Sequence, residues 1–438
     1  MKKINLIVFS SALHDNASVM NSREPLFQAL RDMAELNITY PSTLATRMHG
    51  SNGVFSCGDR LQIEFANTED SRTVCFIATG GTEEMFRQYL DILPRPVILL
   101  SDGLHNSLAA SFEISTYLDH NHIECCLLNA PLDYNPNYFK TLEQKIFGEI
   151  PPIQSDDLSS KNRSPYFDRA DRRVLSRKKI GLFGNASSWL ISSAVDREYM
   201  EKEYDVKFID IQLDELIDEY KLVAPDEKSV KQVCMKMENL VTEDRDAEEL
   251  NKAARLYVAF RNLCGRYQLS ALTVKCFGIL DECRTTACLA LALLNDDGIV
   301  AGCEGDIPAL WTMMYAKEIL GKQAFMANPS SSNRAELTID FAHCTIPLGM
   351  VHGYRLPSHF ESSTGIGIAG SMPSGRYRII KFSGNKLDRF YSVEGNVLMN
   401  TNVPQRCRTQ LRFKFDSEAD YNGFFTTSKG NHIILIAL

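Results

Sequence analysis

The N-terminal third of the chain alternates short apolar runs with helical patterns. The apolar runs end in polar or glycine-containing turns, and amphipathic stretches such as residues 83–90 follow them. Strand, turn, helix and strand in this order are typical of βαβ units, whose strands lie parallel in one sheet. The pattern predicts strands over residues 4–10, 73–79, 95–101 and 123–128.

A second series of the same kind begins after a segment rich in proline, serine and aspartate at residues 150–177. That composition is typical of turns and linkers, so we place a domain boundary there. The pattern then predicts a strand over residues 179–184, a helix over 186–203 and a strand over 206–210. Residues 227–267 interleave charged and apolar positions, which indicates amphipathic helices with one solvated face.

From residue 376 the pattern changes to short segments that alternate or run apolar, with Gly and Asn between them. This spacing indicates an all-β segment, a small barrel or sandwich. At roughly 100–200 residues per domain, 438 residues suffice for about three domains. We therefore predict an α/β fold with two doubly wound (Rossmann-like) α/β domains, residues 1–175 and 176–350, followed by a C-terminal β-barrel domain, residues 351–438.

Composition excludes several classes of function. The chain carries 47 Lys and Arg against 55 Asp and Glu, a net charge of −8, which lacks the basic footprint of a general nucleic-acid-binding protein. No stretch approaches the roughly 18 consecutive apolar residues of a membrane helix, and residues 4–10 indicate a buried strand more than a signal peptide. The 12 cysteines include the neighbours Cys125 and Cys126 and show no small disulfide framework, which indicates reduced thiols. We expect a cytoplasmic protein with neither nucleic-acid nor membrane partners.

Glycine and cysteine motifs assign no cofactor. The glycines at residues 80–81 and 181–184 lie between a predicted strand and helix, but they do not complete a dinucleotide fingerprint. The sequence contains no Gly-Lys-Ser/Thr phosphate loop and no Gly-x-Ser-x-Gly elbow of a serine hydrolase. Cys283, Cys288 and Cys303 lie in apolar surroundings, which favours core positions over zinc ligands.

Oxygen and imidazole ligands recur at the ends of predicted strands in the second half of the chain. Glu304 follows an apolar run and should be buried, and a buried carboxylate must be paired or bound to a metal. Asp306 has a structural alternative, because it can cap the helix that follows. Asn328, His343 and His432 occupy comparable positions beside later strands. Carboxylate and imidazole ligands with an open position suit Mn²⁺ or a similar divalent ion.

Three segments resemble the L-fucose isomerase and L-arabinose isomerase superfamily. They are residues 303–310 (Cys-Glu-Gly-Asp-Ile-Pro-Ala-Leu), residues 325–328 and the Gly-Asn-His of residues 430–432, and these specific motifs lie in roughly the last 160 residues. The resemblance implies two α/β domains with a C-terminal β-barrel. It also implies a Mn²⁺-dependent interconversion of an aldose and a ketose through an ene-diol, with a monosaccharide or a derivative as substrate. Members of the family assemble into trimers or hexamers, so a homo-oligomer is expected.

The same resemblance suggests roles for individual residues. Glu304 matches the first metal ligand, and His343 and His432 match histidine ligands. Asn328 stands where the family has its second acidic ligand; it can coordinate a metal through its amide oxygen but cannot accept a proton. Either His343 or Asp306 has taken the role of the second proton carrier, or the chain is a non-catalytic sugar-binding or regulatory protein on the same scaffold. We favour a retained metal and an altered substrate.

Sequence neighbours complete the expected site. We expect Arg284 and Trp311, with Asn328, to contact the substrate. A thiol-dependent enzyme that uses Cys344 beside His343 is disfavoured, because neighbours on a strand point to opposite faces. The expected catalytic residues are Glu304, Asp306 and His343, and the expected metal ligands are Glu304, Asn328, His343 and His432.

Overall fold

The computed structural model of the protein describes residues 2–11, 15–41, 67–131, 136–148 and 169–438. The described strands form a five-stranded parallel sheet, a four-stranded parallel sheet, a closed six-stranded antiparallel barrel and a two-stranded ribbon. The expected mixed α/β fold with a β-barrel in the C-terminal part is therefore confirmed.

The N-terminal sheet consists of parallel strands with a helix layer on each face. Its strands are β1 (Lys3–Phe9), β2 (Glu35–Thr39), β3 (Ser71–Ile77), β4 (Val97–Ser101) and β5 (Cys125–Asn129). They lie in the order β2-β1-β3-β4-β5. Because successive strand residues point to opposite faces, Leu6 and Val8 of β1 pack into one core while Ile7 and Phe9 pack into another. The alternation explains why the sheet is covered on both sides.

Five helices of the described residues cover this sheet. Those on one face are α1 (Asn16–Asn21), α2 (Glu24–Met33) and α5 (Pro136–Phe147), and those on the other are α3 (Glu83–Tyr89) and α4 (Ser107–His120). The turns after β3 and β4, which carry Gly80 and Asn106, lie at the carboxyl edge of the sheet, where open parallel sheets bind ligands.

The second sheet also has parallel strands. They are β6 (Lys179–Phe183), β7 (Lys207–Ile211), β8 (Ala271–Val274) and β9 (Val300–Cys303), in the order β7-β6-β8-β9. The helices of this region are α6 (Arg169–Leu175), α7 (Arg197–Tyr204), α8 (Leu213–Leu222), α9 (Lys228–Met237), α10 (Ala247–Tyr267), α11 (Leu280–Cys283), α12 (Cys288–Asp296) and α13 (Ile307–Glu318).

The prediction of one helix over residues 186–203 was wrong. The helix begins only at Arg197, after Asp196 has capped it by accepting a hydrogen bond from Tyr199 N at 2.9 Å. The preceding residues form turns, and Ser187 N donates to the carbonyl oxygen of Glu304 at 2.9 Å. A hydrogen bond to a distant part of the chain therefore replaces a helical one in this segment.

The barrel closes through the strand nearest the end of the chain. Its strands are β10 (Phe325–Asn333), β11 (Thr338–His343), β14 (Gly375–Ser383), β15 (Arg389–Asn400), β16 (Thr409–Phe415) and β17 (Ile433–Ala437), with α14 (Glu418–Thr426) between the last two. The ribbon of β12 (Gly353–Arg355) and β13 (Ala369–Ser371) lies outside it. Barrel order is β10-β11-β16-β15-β14-β17, and β17 pairs with both β14 and β10.

The barrel begins earlier in the chain than the expected boundary at residue 351. Strands β10 and β11, which we assigned to the second α/β domain, belong to it. The reason is a pairing between distant segments, since Phe325, Met326 and Ala327 lie opposite residues of β17. The boundary near residue 175 stays a prediction, because the linker expected at residues 150–177 lies mostly outside the described residues.

Buried polar contacts join the three parts of the molecule. Arg406 of the barrel is 2% exposed; its Nε donates to the carbonyl oxygen of Gly103, after β4, and its Nη1 donates to Asp340 Oδ2. On the other side, helix α13 packs between the second sheet and the barrel, where Phe382 N donates to Thr312 Oγ1 at 3.0 Å. The carboxyl edge of the N-terminal sheet is thereby held against the barrel.

The sequence also led us to expect no membrane helix and reduced cysteines. None of the helices in the described parts of the chain is long and apolar enough to cross a membrane. Every cysteine in those parts is a free thiol, and the neighbours Cys125 and Cys126 are not bridged. The expectations of a cytoplasmic location and of a trimer or hexamer stay predictions.

Candidate active site

Two adjoining cavities lie where the N-terminal domain, the second sheet and the barrel meet. The empty space in them, part of it open to solvent, is about 420 and 340 Å³. Asn106 comes from the N-terminal domain, Phe277 and Glu304 from the region of the second sheet, and Asn328 and Glu361 from the barrel region; all five line both cavities. Each of the three parts therefore contributes to one binding site.

Glu304 occupies the centre of this site at the end of β9. Its backbone is left-handed, with φ +63°, and the next residue, Gly305, also has a positive φ. A Cβ at Gly305 would lie 2.6 Å from the Cα of Ala186, so only glycine allows this close approach. The turn ends the alternation of side chains between the two faces of the strand. The sequence neighbours Cys303 and Glu304 therefore both line the larger cavity.

Two partners hold the carboxylate of Glu304. Trp189 Nε1 donates to Oε2 at 2.5 Å, and Oε1 lies 3.4 Å from Nε2 of His432. Burial alone would raise the pKa of Glu304, but the nearby His432 and His343 lower it below its ordinary value. Glu304 is therefore ionised at neutral pH.

His432 lies directly before β17 and is fully buried. Its Nδ1 is 2.8 Å from Asp306 Oδ2, and because a carboxylate only accepts, Nδ1 carries a proton. Nε2 faces Glu304 and has no hydrogen-bond partner among the described residues. Burial lowers the pKa of His432, yet Glu304 and Asp306 raise it to about 10. An acidic side chain from the middle of the chain and an imidazole from its end thus meet, while their joint binding of a divalent ion stays a prediction.

Asp306 supports this arrangement from behind. Its Oδ1 accepts a hydrogen bond from Ala309 N at 2.7 Å, which caps α13, and its Oδ2 faces His432. The ammonium of Lys381 lies 3.6 Å away, and it lowers the pKa of Asp306 against the opposing effect of burial. Asp306 lines neither cavity. The contact with α13 accounts for the capping role, whereas the expected role of Asp306 as a proton carrier stays a prediction for a side chain that lies outside both cavities.

His343 ends β11 and lines the larger cavity. Its ring centroid is 5.5 Å from that of His432, and its Nδ1 accepts a hydrogen bond from Thr345 N at 3.2 Å. Burial and the neighbouring His432 lower the pKa of His343 to about 4, although Glu304 opposes the shift. His343 is therefore neutral at neutral pH.

Asn328 presents its amide to both cavities from β10. The side chain is 3% exposed, and Oδ1 has no hydrogen-bond partner among the described residues. Its Nδ2 is 3.5 Å from Oδ1 of Asn106. Because a buried amide oxygen without a partner is costly, this atom suits a ligand that is held in the cavity.

Glu361 is a carboxylate that the sequence interpretation missed. It lines both cavities, and its Oε1 accepts a hydrogen bond from Asn106 Nδ2 at 2.7 Å. Burial raises the pKa of Glu361 to about 7, with an additional increase from Glu304 and an opposing effect of His359. Glu361 and His359 lie in an irregular segment between β12 and β13, where no strand end marks a candidate site residue. The only hint in the sequence was the presence of two titratable side chains within three residues.

Thiols form the other wall of the larger cavity. Cys303 Sγ is 3.3 Å from Cys276 Sγ. Cys303, Glu304 and His343 each offer one possible ligand atom, and these three atoms lie within 4.8 Å of one another. Cys283 is buried away from the cavities, while Cys288 and Cys303 are buried as expected and also line the larger one. The lining cysteines are Cys276, Cys288, Cys303, Cys344 and Cys407.

Two residues expected at the substrate lie elsewhere. The ring of Trp311 packs against Tyr204, with centroids 4.9 Å apart, in the shared core of the second sheet and the barrel. Arg284 is exposed at the end of α11. Neither residue lines either cavity. The indole that does reach Glu304 belongs to Trp189, in the segment for which we predicted a helix.

Sequence comparison relates the chain to sugar isomerases. It is 30% identical to the sulfoquinovose isomerase of Clostridium sp. (strain MSTE9) over 118 residues, which are 27% of this chain and 25% of that protein. It is 23% identical to the sulfoquinovose isomerase of Alkalicoccus urumqiensis over 167 residues, 38% of each chain. It is 22% identical to that of Priestia aryabhattai over 174 residues, 39% of each chain. The matched stretches thus span well under half of these relatives, and no family model matches the chain.

Proposed function

We propose that the protein is a metal-dependent aldose–ketose isomerase that acts on a monosaccharide through an ene-diol. The observation that carries this proposal is the approach of Glu304 Oε1 to His432 Nε2, 3.4 Å apart beside the cavities. The relatives named sulfoquinovose isomerase support the class of reaction.

The side chains around Glu304 suit a divalent cation. Its carboxylate lies 3.4 Å from His432 Nε2, whose proton a metal ion would displace on binding. Asn328 Oδ1, from a residue that lines the same cavities, has no hydrogen-bond partner among the described residues. Together with His343, these groups form a set of oxygen and nitrogen donors of the kind that binds divalent ions. When bound, such an ion would stabilise the negative charge that develops on the sugar oxygens as the ene-diol forms.

Isomerisation also requires a group that moves a proton between two neighbouring carbons. Glu304 is ionised and faces the cavity, so we assign it the removal of the proton. Asn328 cannot return a proton, and Asp306 lies behind His432 rather than beside the substrate. Glu361 lines the same cavities with a pKa of about 7, which suits a group that alternately holds and releases a proton near neutral pH. We therefore propose Glu361, and not Asp306, as the partner of Glu304.

The lining also bears on the substrate. Among the described residues that line the cavities, none is Lys or Arg, whereas Glu83, Glu304 and Glu361 are carboxylates. Burial lowers the pKa of His359, but Cys344 and Glu361 raise it to about 9, so this imidazole already has its own negative partners. Sulfoquinovose, for which the relatives are named, carries a sulfonate that needs a positively charged partner. We therefore propose that this chain acts on an uncharged sugar, such as a pentose or a 6-deoxyhexose.

The test is conversion of sugars by purified protein and by Glu304→Gln. The protein, loaded with a divalent ion, is incubated with aldoses of both charge classes, and ketose formation is followed by chromatography. We expect the wild type to convert at least one sugar and Glu304→Gln to lose turnover by about 10²–10⁴-fold together with its bound metal. Glu282→Gln, an exposed change on α11, is the matched control and should behave as wild type.

Two outcomes would contradict the proposal. Full activity of Glu304→Gln would remove Glu304 from the reaction. Saturable sugar binding without conversion by the metal-loaded wild type would favour the alternative of a non-catalytic sugar-binding protein on this scaffold.

A further inference from the structure

We propose that the thiolate of Cys303 is a ligand of the metal at this site, together with Glu304 and His343, and that the site therefore selects a thiophilic divalent ion over Mn²⁺. The inference rests on the proposed function only for the presence of a metal. It concerns a residue for which the sequence favoured a core position.

The geometry of the three side chains is the first support. One ligand atom each from Cys303, Glu304 and His343 lies within 4.8 Å of the other two. Metal–ligand bonds to sulfur, nitrogen and oxygen are about 2.0–2.3 Å long. Small side-chain movements therefore bring all three atoms around one ion.

The backbone explains how two neighbours can ligate the same ion. In a continuing strand, Cys303 and Glu304 would point to opposite faces. The left-handed backbone of Glu304 and the positive φ of Gly305 turn the chain, so that both side chains line the same cavity. The same turn is held by Ser187 N, which donates to the carbonyl oxygen of Glu304.

Charge gives a second, independent reason. Asn328 and the histidines are neutral when they ligate, so Glu304 alone would bring one negative charge to a divalent ion. A thiolate at Cys303 restores the second negative charge beside Glu304. Thiolate ligands favour ions such as Zn²⁺ and Co²⁺, whereas Mn²⁺ favours oxygen.

Binding has an identifiable cost at His343. Its Nδ1 accepts a hydrogen bond from Thr345 N. Whichever ring nitrogen ligates, this bond is lost, because a ligating histidine carries a proton on its other nitrogen or uses the accepting nitrogen itself. The Cys303 thiol releases its proton to solvent as the metal–sulfur bond forms. One long hydrogen bond is a small loss against three ligand bonds.

The experiment uses Co²⁺ as a spectroscopic probe of the metal-free protein. A thiolate ligand gives Co²⁺ a sulfur-to-metal charge-transfer band in the near ultraviolet, which oxygen and nitrogen ligands do not give. We expect this band in the wild type and expect Cys303→Ser to lose it, with a loss of Co²⁺ affinity of at least about tenfold. Cys264→Ser, a buried cysteine of α10 outside both cavities, is the matched control and should keep the band.

Further measurements keep the outcome decisive. If Cys303→Ser does not fold, protection of Cys303 from alkylation by bound Co²⁺ in the wild type, read by peptide mass spectrometry, replaces the variant, and unprotected alkylation refutes the proposal. A wild-type complex without the band, or a band that persists in Cys303→Ser and disappears in Cys276→Ser, also refutes it.

The results separate this inference from the proposed function. A band without conversion of any sugar would leave Cys303 a ligand and would contradict the isomerase. Sugar conversion by a Mn²⁺-loaded protein whose Co²⁺ form lacks the band would leave the isomerase and contradict the role of Cys303.

Discussion

The contact between Asp306 and His432 makes the replacement Asp306→Asn informative. The asparagine side chain retains an oxygen that can accept the capping bond from Ala309 N, and Asn caps helices about as well as Asp. Facing His432, however, its NH₂ group donates where Oδ2 accepted. The neutral imidazole that could bind a metal then keeps its proton on Nε2 and not on Nδ1, so the nitrogen that faces Glu304 can no longer be a ligand.

Asp306→Asn should have two separate effects, one on metal affinity and one on the stability of the fold. Loss of a carboxylate that orients a metal-binding histidine weakens metal binding by about 10- to 100-fold, or about 1.4–2.7 kcal/mol. The change also leaves Lys381, 1% exposed and 3.6 Å from Asp306, without its opposite charge. Breaking a buried pair in this way costs about 3–5 kcal/mol of stability. The double variant Asp306→Asn with Lys381→Met removes both charges and should recover most of that stability without recovering metal affinity.

Isothermal titration of the metal-free proteins with Co²⁺ measures the affinity, and thermal melting measures the stability. Asp246→Asn is the matched control, because Asp246 caps α10 through Glu249 N at 2.9 Å and lines neither cavity. We expect wild-type affinity in this control. Wild-type affinity in both Asp306 variants would refute the assignment of His432 as a ligand oriented by Asp306.

Two further predictions concern the reaction. Because burial raises the pKa of Glu361 to about 7, the protonated form that returns the proton decreases as the pH rises through 7, so kcat/KM should fall over that range. Glu361→Gln should lose this fall and lower kcat by about 10²–10⁴-fold; an unchanged pH profile of kcat/KM would contradict the role. Because the described lining residues include no Lys or Arg, kcat/KM should be higher for uncharged aldoses than for sulfoquinovose, and a preference for sulfoquinovose in the same assay would show the reverse.

Local patterns predicted those features of the fold that depend on local sequence. The alternation of β1, for example, follows from apolar residues on two faces of one strand. Glu304 and His432 were identifiable because each lies beside a strand, and the edge of a sheet or barrel brings such positions together. The order of the barrel strands depends instead on the pairing of β10 with β17, far apart in the sequence, which no local pattern records.

The residues that were missed lie in irregular segments. Trp189 reaches Glu304 because a hydrogen bond from Ser187 holds a turn where apolar periodicity predicted a helix. Glu361 lies in a segment without regular structure, so its position depends on contacts such as the one with Asn106. Trp311 was expected at the site because it is close to Glu304 in the sequence, but its side chain packs among apolar residues of the core.

The position of His432 couples the site to the integrity of the barrel. The strand that follows it, β17, pairs with both β10 and β14 and thereby closes the barrel. An ion or sugar that binds the imidazole of His432 only when β17 is paired with both neighbours favours the closed barrel by mass action. Binding would thus stabilise the closed barrel, and loss of the ligand would lower the stability of the strand beside the site.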